Sequence, residues 1–408
     1  MKIDYTVPEN SKYFLFLDLP YRQVANHSIL AFSGDRCGLS LAERVTHFVM
    51  ALLKSIPLFG HLITLVDTFY QSRFSVVCIK LHEIDPFRRG KEHGEKLKKR
   101  IKEVYEPVLA MKSGIKNIRE NCREFEAQIP GELREEMRGL AEGAGYSYDD
   151  VLFIHSFLDA DPGHYGCTSM VAKGSGEQWN RLVASNHSIN DEEEAFFPSG
   201  DSQIRRDAFL QFPIGSSDAP NKILEVTGKN ETIQSMVFDT NNLKISLSAQ
   251  GSSAANGRYS TFTPELLFES QEEKSTDSEH QVKLFRNLDW PWYFLGQETI
   301  LLSRKHSNGK KTVLVTWPGY IGTLSGMNNS GLAITQNQHG SSKNLQGIPN
   351  PLLFTHILDK CHNIYEADRK IRRGEHGSSM NVVVADPTGG KSYELQGEGI
   401  VACVGTIS

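Results

Sequence analysis

Around Cys167 the sequence changes its period, and that change limits what the chain can fold into. Upstream, apolar residues recur at helical spacing: Leu97, Ile101, Val104, Tyr105, Val108 and Leu109 predict a helix over 88–112. Pro130–Ala144 predicts a second, and 146–160 a third with Ser147 as its N-cap ahead of Asp149 and Asp150. Downstream, TSMVA, RLVAS, KILEVTG, QSMVFDT, LKISLSA, TVLVTWP and NVVVADP are short β-branched runs bounded by Gly, Asn, Asp or Pro, and each predicts a strand. FSVVCIKL (74–81) predicts one earlier strand, and 350–373 returns to a helical pattern. Helices, then many strands, then more helix predict an α+β protein in which helices stack on antiparallel sheet. The polar stretches Asp191–Ser202 and Glu269–His280 read as loops.

Residues 1–75 stand apart as an N-terminal extension, ahead of a main domain over 76–408. Within the extension, Val45–Leu65 is strongly apolar but broken by His47, Lys54, Pro57, Gly60 and His61. An uninterrupted run of about 20 apolar residues is needed to span a bilayer. Two short helices meeting at Ile56-Pro57 are the preferred reading, with a membrane contact through 45–65 as the alternative. A net charge of −5 argues against a nucleic-acid partner. The basic run Arg88–Arg100 is interspersed with Glu92 and Glu95 and reads as a solvated helix face.

Six cysteines without a CxxC suggest neither a disulfide framework nor a zinc ribbon. His356, Cys361 and His362 lack a fourth ligand, so no metal is expected, and no organic cofactor is implied. The start MKIDYTVPENSKYF lacks the basic and apolar regions of a signal peptide. That predicts a cytoplasmic protein, with a non-classical secretory route left open.

Three elements carry chemistry. Cys167 stands between Gly166 and the small hydroxyl residues Thr168 and Ser169, at the head of a probable strand. A lone cysteine there is either a buried small hydrophobe or a nucleophile. Were the bond between Gly166 and Cys167 cut, one residue would own both a thiol and an α-amine titrating near neutral pH, a nucleophile with its own base. Glycine before it permits the strained backbone that self-attack requires. In FRNLDWPW (285–292), Arg286 and Asp289 could bracket that residue, the arginine favouring thiolate and the aspartate orienting the amine; a surface ion pair is the alternative. GMNNSGLAITQN (326–337) opens with turn chemistry and ends at Asn337, an uncharged donor suited to an oxyanion, although alone it reads as an ordinary β-turn.

Together these elements resemble the N-terminal-nucleophile (Ntn) hydrolases of the acyl-CoA:6-aminopenicillanic-acid acyltransferase group, peptidase family C45, relatives of choloylglycine hydrolases and acid ceramidase. The resemblance is carried by Gly166-Cys167-Thr168-Ser169, Arg286-Asn287-Leu288-Asp289-Trp290, Pro318-Gly319-Tyr320-Ile321-Gly322, and Gly326-Met327-Asn328 with Gly331-Leu332 and Asn337. GLAEGAGYSYDDVLFIHSF (139–157) resembles the helical region before the family's cysteine. Residues 168–285 separate Cys167 from Arg286, whereas in the family the two strands are close neighbours in sequence. NRLVASNHSIND (180–191) resembles the family's T-N-H segment, which normally lies beyond the strand containing Asp386-Pro387-Thr388-Gly389 and Glu394. Block 179–269 therefore reads as the family's C-terminal part, permuted to follow the nucleophile strand.

The resemblance implies a four-layer αββα Ntn-hydrolase sandwich behind a helical N-terminal extension. A pre-cleavage helical part over 76–166 would precede a catalytic part over 167–408. It implies autocatalytic cleavage at Gly166-Cys167 and a Cys167 thiol nucleophile that forms a thioester acyl-enzyme. Arg286 and Asp289 would set protonation, and Asn186 and Asn337 would hold the oxyanion. Arg205 or Arg206 matches an arginine downstream of T-N-H. The expected activity is that of an amidase (C–N hydrolase) or acyltransferase on a small acyl amide or peptide. The rivals are an uncleaved cysteine hydrolase acting on lipids or thioesters, and a degenerate member serving as a binding or effector protein. The acyl and amine partners and the oligomeric state are not written in the sequence.

Overall fold

A computed structural model of the 408-residue chain describes residues 76–112, 117–160, 167–175, 178–184, 199–211, 220–229, 231–250, 253–269, 281–290, 294–397 and 399–408. The extension 1–75, with its apolar segment 45–65, lies outside them, as do Gly166 and Asn186. The first part comprises β1 (Val77–Lys80), α1 (Pro86–Lys112), α2 (Ile118–Glu124), α3 (Gly131–Ala144) and α4 (Tyr148–Ala160). Then come β2 (Cys167–Ser175), β3 (Gln178–Ala184), α5 (Ser199–Gln211), α6 (Pro220–Thr227), β4 (Thr232–Asp239), β5 (Lys244–Ala249), β6 (Ser260–Phe262) and α7 (Pro264–Phe268). The last part holds β7 (Gln281–Asp289), α8 (Phe294–Gln297), β8 (Ile300–Lys305), β9 (Lys311–Thr316), β10 (Ser325–Asn328) and β11 (Ala333–Lys343). It ends with α9 (Asn350–Lys360), α10 (Ile364–Ile371), β12 (Ser378–Asp386), β13 (Gly389–Gln396) and β14 (Ile400–Ile407).

The strands form two sheets. One has eight strands in the order β1-β8-β9-β10-β11-β12-β13-β14, with β1 parallel to β8 and the rest antiparallel. The other is antiparallel throughout, with six strands in the order β3-β2-β7-β4-β5-β6. Successive strand side chains point to opposite faces, and the core follows that alternation. From the larger sheet, Ile300, Leu302, Leu314, Val382 and Val384 pack with the helical residues Ile101, Leu140, Phe153, Leu352 and Ile364. The residues between them, Leu301, Val313, Val315, Val383 and Ala385, pack with Val171, Met236, Phe238, Ile245 and Leu284 of the smaller sheet. Met170, Ala172, Val237 and Phe285, on the smaller sheet's other face, pack with Ile223 and Leu224 of α6. Mixed α/β content with two sheets is compatible with the α+β class expected from the sequence.

Several expectations met corrections. KILEVTG is helix, not strand: Pro220 opens α6 with its fixed φ, and Ile223, Leu224 and Thr227 fall on one helical face, which is the face that is buried. The basic run in α1 is solvated at Arg88, Lys96, Lys98 and Lys99, but Arg89 and His93 turn inward and are buried. The stretch read as a loop to Ser202 gives its last four residues to α5. Ser147 does cap α4, its Oγ accepting the Asp150 N–H at 3.1 Å.

The path of the chain places β7 beside β2. Cys167 pairs with Leu288, Ser169 with Arg286 and Val171 with Leu284, across the intervening residues 168–285. Residues 179–269 supply β3, β4, β5 and β6 on both flanks of this central pair.

Candidate active site

Cys167 is the first residue of β2, and its position on the strand is set by ladder pairing with Leu288. Arg286 lies two residues earlier on β7 and faces between the sheets, on the same side as Leu284. Its Nη2 donates to Cys167 Sγ at 3.3 Å, and its Nη1 donates to the carbonyl of Leu324. Both residues are buried. The arrangement excludes the solvated Arg286/Asp289 ion pair kept as an alternative from the sequence: Arg286 bonds the thiol, and Asp289 turns to other partners.

Asp289 ends β7. Its Oδ1 accepts the Thr232 hydroxyl at 2.6 Å, and its Oδ2 faces Arg205 Nη1 at 3.4 Å. Arg205 projects from α5 and is itself buried. The same Nη1 donates to the Cys167 carbonyl at 3.0 Å and to Thr168 Oγ1. Arg205 thus ties the Cys167 backbone to the Asp289 carboxylate. The sequence left Arg205 and Arg206 undecided; Arg206 is only half-buried. Nothing in the sequence separates two adjacent arginines on a weakly amphipathic helix, and the docking of α5 beside β2 makes the choice. Thr232 was not singled out at all, and no local signal marks it.

Asn337 lies on β11 of the larger sheet and is fully buried. Its Oδ1 accepts the Ser169 hydroxyl at 2.9 Å and its Nδ2 donates to the Ala184 carbonyl at 3.1 Å. It therefore bridges the two sheets, joining β2 to the end of β3. Cys167, Arg286 and Asp289 are brought together, and Asn337 reaches the same strand through Ser169, two residues beyond Cys167. Gly166 and Asn186 cannot be placed with them, since both lie outside the described residues.

The electrostatics favour a resting, neutral thiol. Burial pushes the Cys167 thiol above its ordinary value, the Arg286 guanidinium draws it back, and the Asp289 carboxylate pushes it up again. Burial likewise raises Asp289, against the opposing pull of Arg205 and the Thr232 hydroxyl. Among the described residues, no group of three or more His, Cys, Asp or Glu could hold a metal ion. No described helix is long and apolar enough to cross a membrane.

Aromatic side chains belong to the same core cluster as Cys167. Trp290 follows Asp289 directly, and its ring meets Trp317 edge-on at 5.7 Å; Trp317 in turn meets Tyr320 at 5.8 Å.

Residues 277–407 match the family model described as acyl-coenzyme A:6-aminopenicillanic acid acyl-transferase, the family that the motifs resemble. The match runs from β7 through β14 and takes in Arg286, Asp289 and Asn337, while Cys167 and Asn186 precede it. It points to an acyltransferase or hydrolase. No curated protein matches the chain.

Proposed function

We propose that the protein is a cysteine-nucleophile amide hydrolase or acyltransferase, matured by its own cleavage between Gly166 and Cys167. One observation carries this reading: the buried Cys167 Sγ, at the first position of a strand, faces a guanidinium at 3.3 Å while its carbonyl is bonded to an arginine that also faces Asp289. A buried structural thiol needs neither charge. A nucleophile that must ionise during attack uses both, because a cation beside sulfur stabilises thiolate.

In maturation, Cys167 Sγ attacks the Gly166 carbonyl carbon and the peptide C–N bond breaks. The thiol proton ends on the released α-amine, leaving a thioester that water hydrolyses to a Gly166 carboxylate. In turnover, the α-amine takes the thiol proton and the sulfur attacks an acyl amide. The same proton then passes to the leaving amine, and water or a second amine resolves the thioester.

Asn337 is one oxyanion donor in this reading, and Asn186 the other. The sorting of the core into three clusters supports the four-layer αββα arrangement. The permutation of 179–269 is supported by its strands flanking β2 and β7, and by the close approach of Gly405 on the last strand to the Leu182 side chain of β3.

Mass spectrometry of purified protein tests the first step. The wild type should yield fragments meeting at Gly166/Cys167, and Cys167→Ala a single chain of 45.7 kDa. An uncut wild type after long incubation overturns self-cleavage. A panel of N-acyl amino acids, short peptides and N-acyl lipids then tests turnover, and no activity against any of them from the cleaved protein overturns the enzyme reading.

A further inference from the structure

The turn 317–322, between β9 and β10, carries Trp317 and Tyr320 and is held by two buried histidines from other parts of the chain. His93 on α1 accepts the Gly319 N–H at its Nε2, at 3.0 Å. His155 on α4 accepts the Ile321 N–H at its Nε2, also at 3.0 Å, and its ring stacks on Tyr320 with centroids 4.9 Å apart. The Nδ1 of His155 lies 2.7 Å from the Val151 carbonyl, a contact that requires the proton on Nδ1 and leaves Nε2 as the acceptor. Tyr105 and Thr355 complete the clamp, donating to the Gly319 and Ile321 carbonyls at 2.6 and 2.8 Å. Gly319 itself is left-handed, with φ +81°, so the turn has a specific shape to be held.

Both imidazoles must stay neutral to accept these bonds, since a second ring proton would point N–H at N–H. The Cys167 chemistry proposed above uses neither ring. What the bonds fix is the wall formed by Trp317 and Tyr320 and continued by Trp290, in the same core cluster as Cys167. Both histidines lie upstream of Gly166, so a cleaved protein would keep its wall only while the upstream part stays docked.

We propose that His93 and His155 are positioning residues of the site: as neutral acceptors they latch the 317–322 turn, hold the Trp317–Tyr320 wall in the nucleophile's core cluster, and let it go when protonated. The charged and titratable groups facing them fit this role. His93 meets Glu136 from α3, which favours its protonation, and His155 from α4 and Arg304 from β8, which oppose it; Glu92 on its own helix favours protonation. His155 meets Glu136 and its own Val151 carbonyl, both favouring protonation. Burial outweighs these and draws each ring down to about 4. With each ring lower in the folded protein than in the unfolded chain, the latch stabilises the fold at neutral pH and that contribution is lost as pH falls toward about 4.

Tryptophan emission tests the latch directly, because Trp290 and Trp317 are two of the four tryptophans. On acidification the wild type should show an emission change centred near pH 4, before its far-ultraviolet circular dichroism collapses. Glutamine keeps an acceptor oxygen and does not titrate. The double variant His93→Gln/His155→Gln should therefore have native emission at neutral pH and no transition until the whole fold is lost. If the double variant does not fold, His155→Gln alone should shrink the transition. His155→Phe keeps the stack on Tyr320 but has no acceptor; it should shift emission at neutral pH and raise KM several-fold with little change in kcat. A Gln variant titrating like the wild type, or a Phe variant with unchanged emission and KM, overturns the proposal. The KM arm rests on the reading of Cys167 as nucleophile. If emission behaves as expected and the wild type turns over no acyl amide, the latch stands and the enzyme reading fails.

Discussion

At the scale of single residues, Arg205 is the side chain on which most of the site converges. Its guanidinium, carried on α5, meets the Cys167 carbonyl, Thr168 Oγ1 and Asp289. Removing it leaves Asp289 buried without the guanidinium that draws it down most, and breaking such a pair typically costs about 3–5 kcal/mol. Arg205→Ala should therefore lower stability by that order in denaturant unfolding. Arg205 is also the main group drawing the Asp289 carboxyl down. Its loss raises Asp289 further, so the acid limb of kcat/KM should move to higher pH. Arg206→Ala, at a half-buried neighbour with no bond to the site among the described residues, should stay within about 0.5 kcal/mol of the wild type and keep its pH profile. Equal effects at the two positions would remove Arg205 from the site.

At the scale of elements, α1 and α3 pack backbone to backbone, and four glycines allow it. A Cβ on Gly90 or Gly94 of α1 would sit 1.9 Å from the Glu136 carbonyl oxygen or 2.5 Å from the Ala144 nitrogen. A Cβ on Gly139 or Gly143 of α3 would sit 1.9 Å from the Phe87 oxygen or 2.3 Å from the Lys91 oxygen. The neighbours are backbone atoms, so relief requires moving a helix. Overpacking of a filled contact costs about 1–3 kcal/mol, occasionally more. Gly94→Ala and Gly139→Ala should each lose at least about that much in urea unfolding, although alanine is the better helix former. Gly131→Ala opens into empty space at the start of α3 and should be neutral or slightly stabilising. An unchanged Gly139→Ala would show that the two helices are not held this closely.

At the scale of the whole molecule, the part before the proposed cut is bound into the part after it. β1 pairs with β8, and Arg304 on β8 donates to Glu136 of α3 at 2.7 and 3.0 Å while also meeting Asp359 of α9 at 2.9 Å. All three are buried, and the arginines Arg304 and Arg89 hold the Glu136 carboxyl well below the usual carboxylate range, against its burial. A chain cut at Gly166/Cys167 should therefore stay one particle. Size-exclusion chromatography should show both fragments eluting together, at the size of the intact 45.7 kDa chain, and separating only under denaturing conditions. Arg304→Met leaves two buried carboxylates without their shared cation, a loss of about 3–5 kcal/mol. It should lower the denaturant concentration at which the fragments part. Fragments that separate in native buffer would contradict this account of what joins them.

Period and punctuation in the sequence determined much of the molecule. The helices α1, α3 and α4 and about half of the strands were legible, because amphipathic spacing and turn residues act locally; that the Cys167 strand neighbours the Arg286 strand was legible only through the family resemblance. Cys167, Arg286 and Asp289 were legible as one group only through their motifs; spacing along the chain would have kept them apart. What the tertiary structure decided is whatever depends on which face meets a neighbour. KILEVTG became helix because its buried face docks on a sheet, which a seven-residue apolar run cannot announce. Arg205 rather than Arg206 entered the site because α5 presents that side to β2, and His93 left the solvated face of α1 to hold a turn more than two hundred residues away. Those choices are made by burial, which desolvates one polar group and leaves its neighbour in water, and burial is a property of the packed chain rather than of any stretch of it.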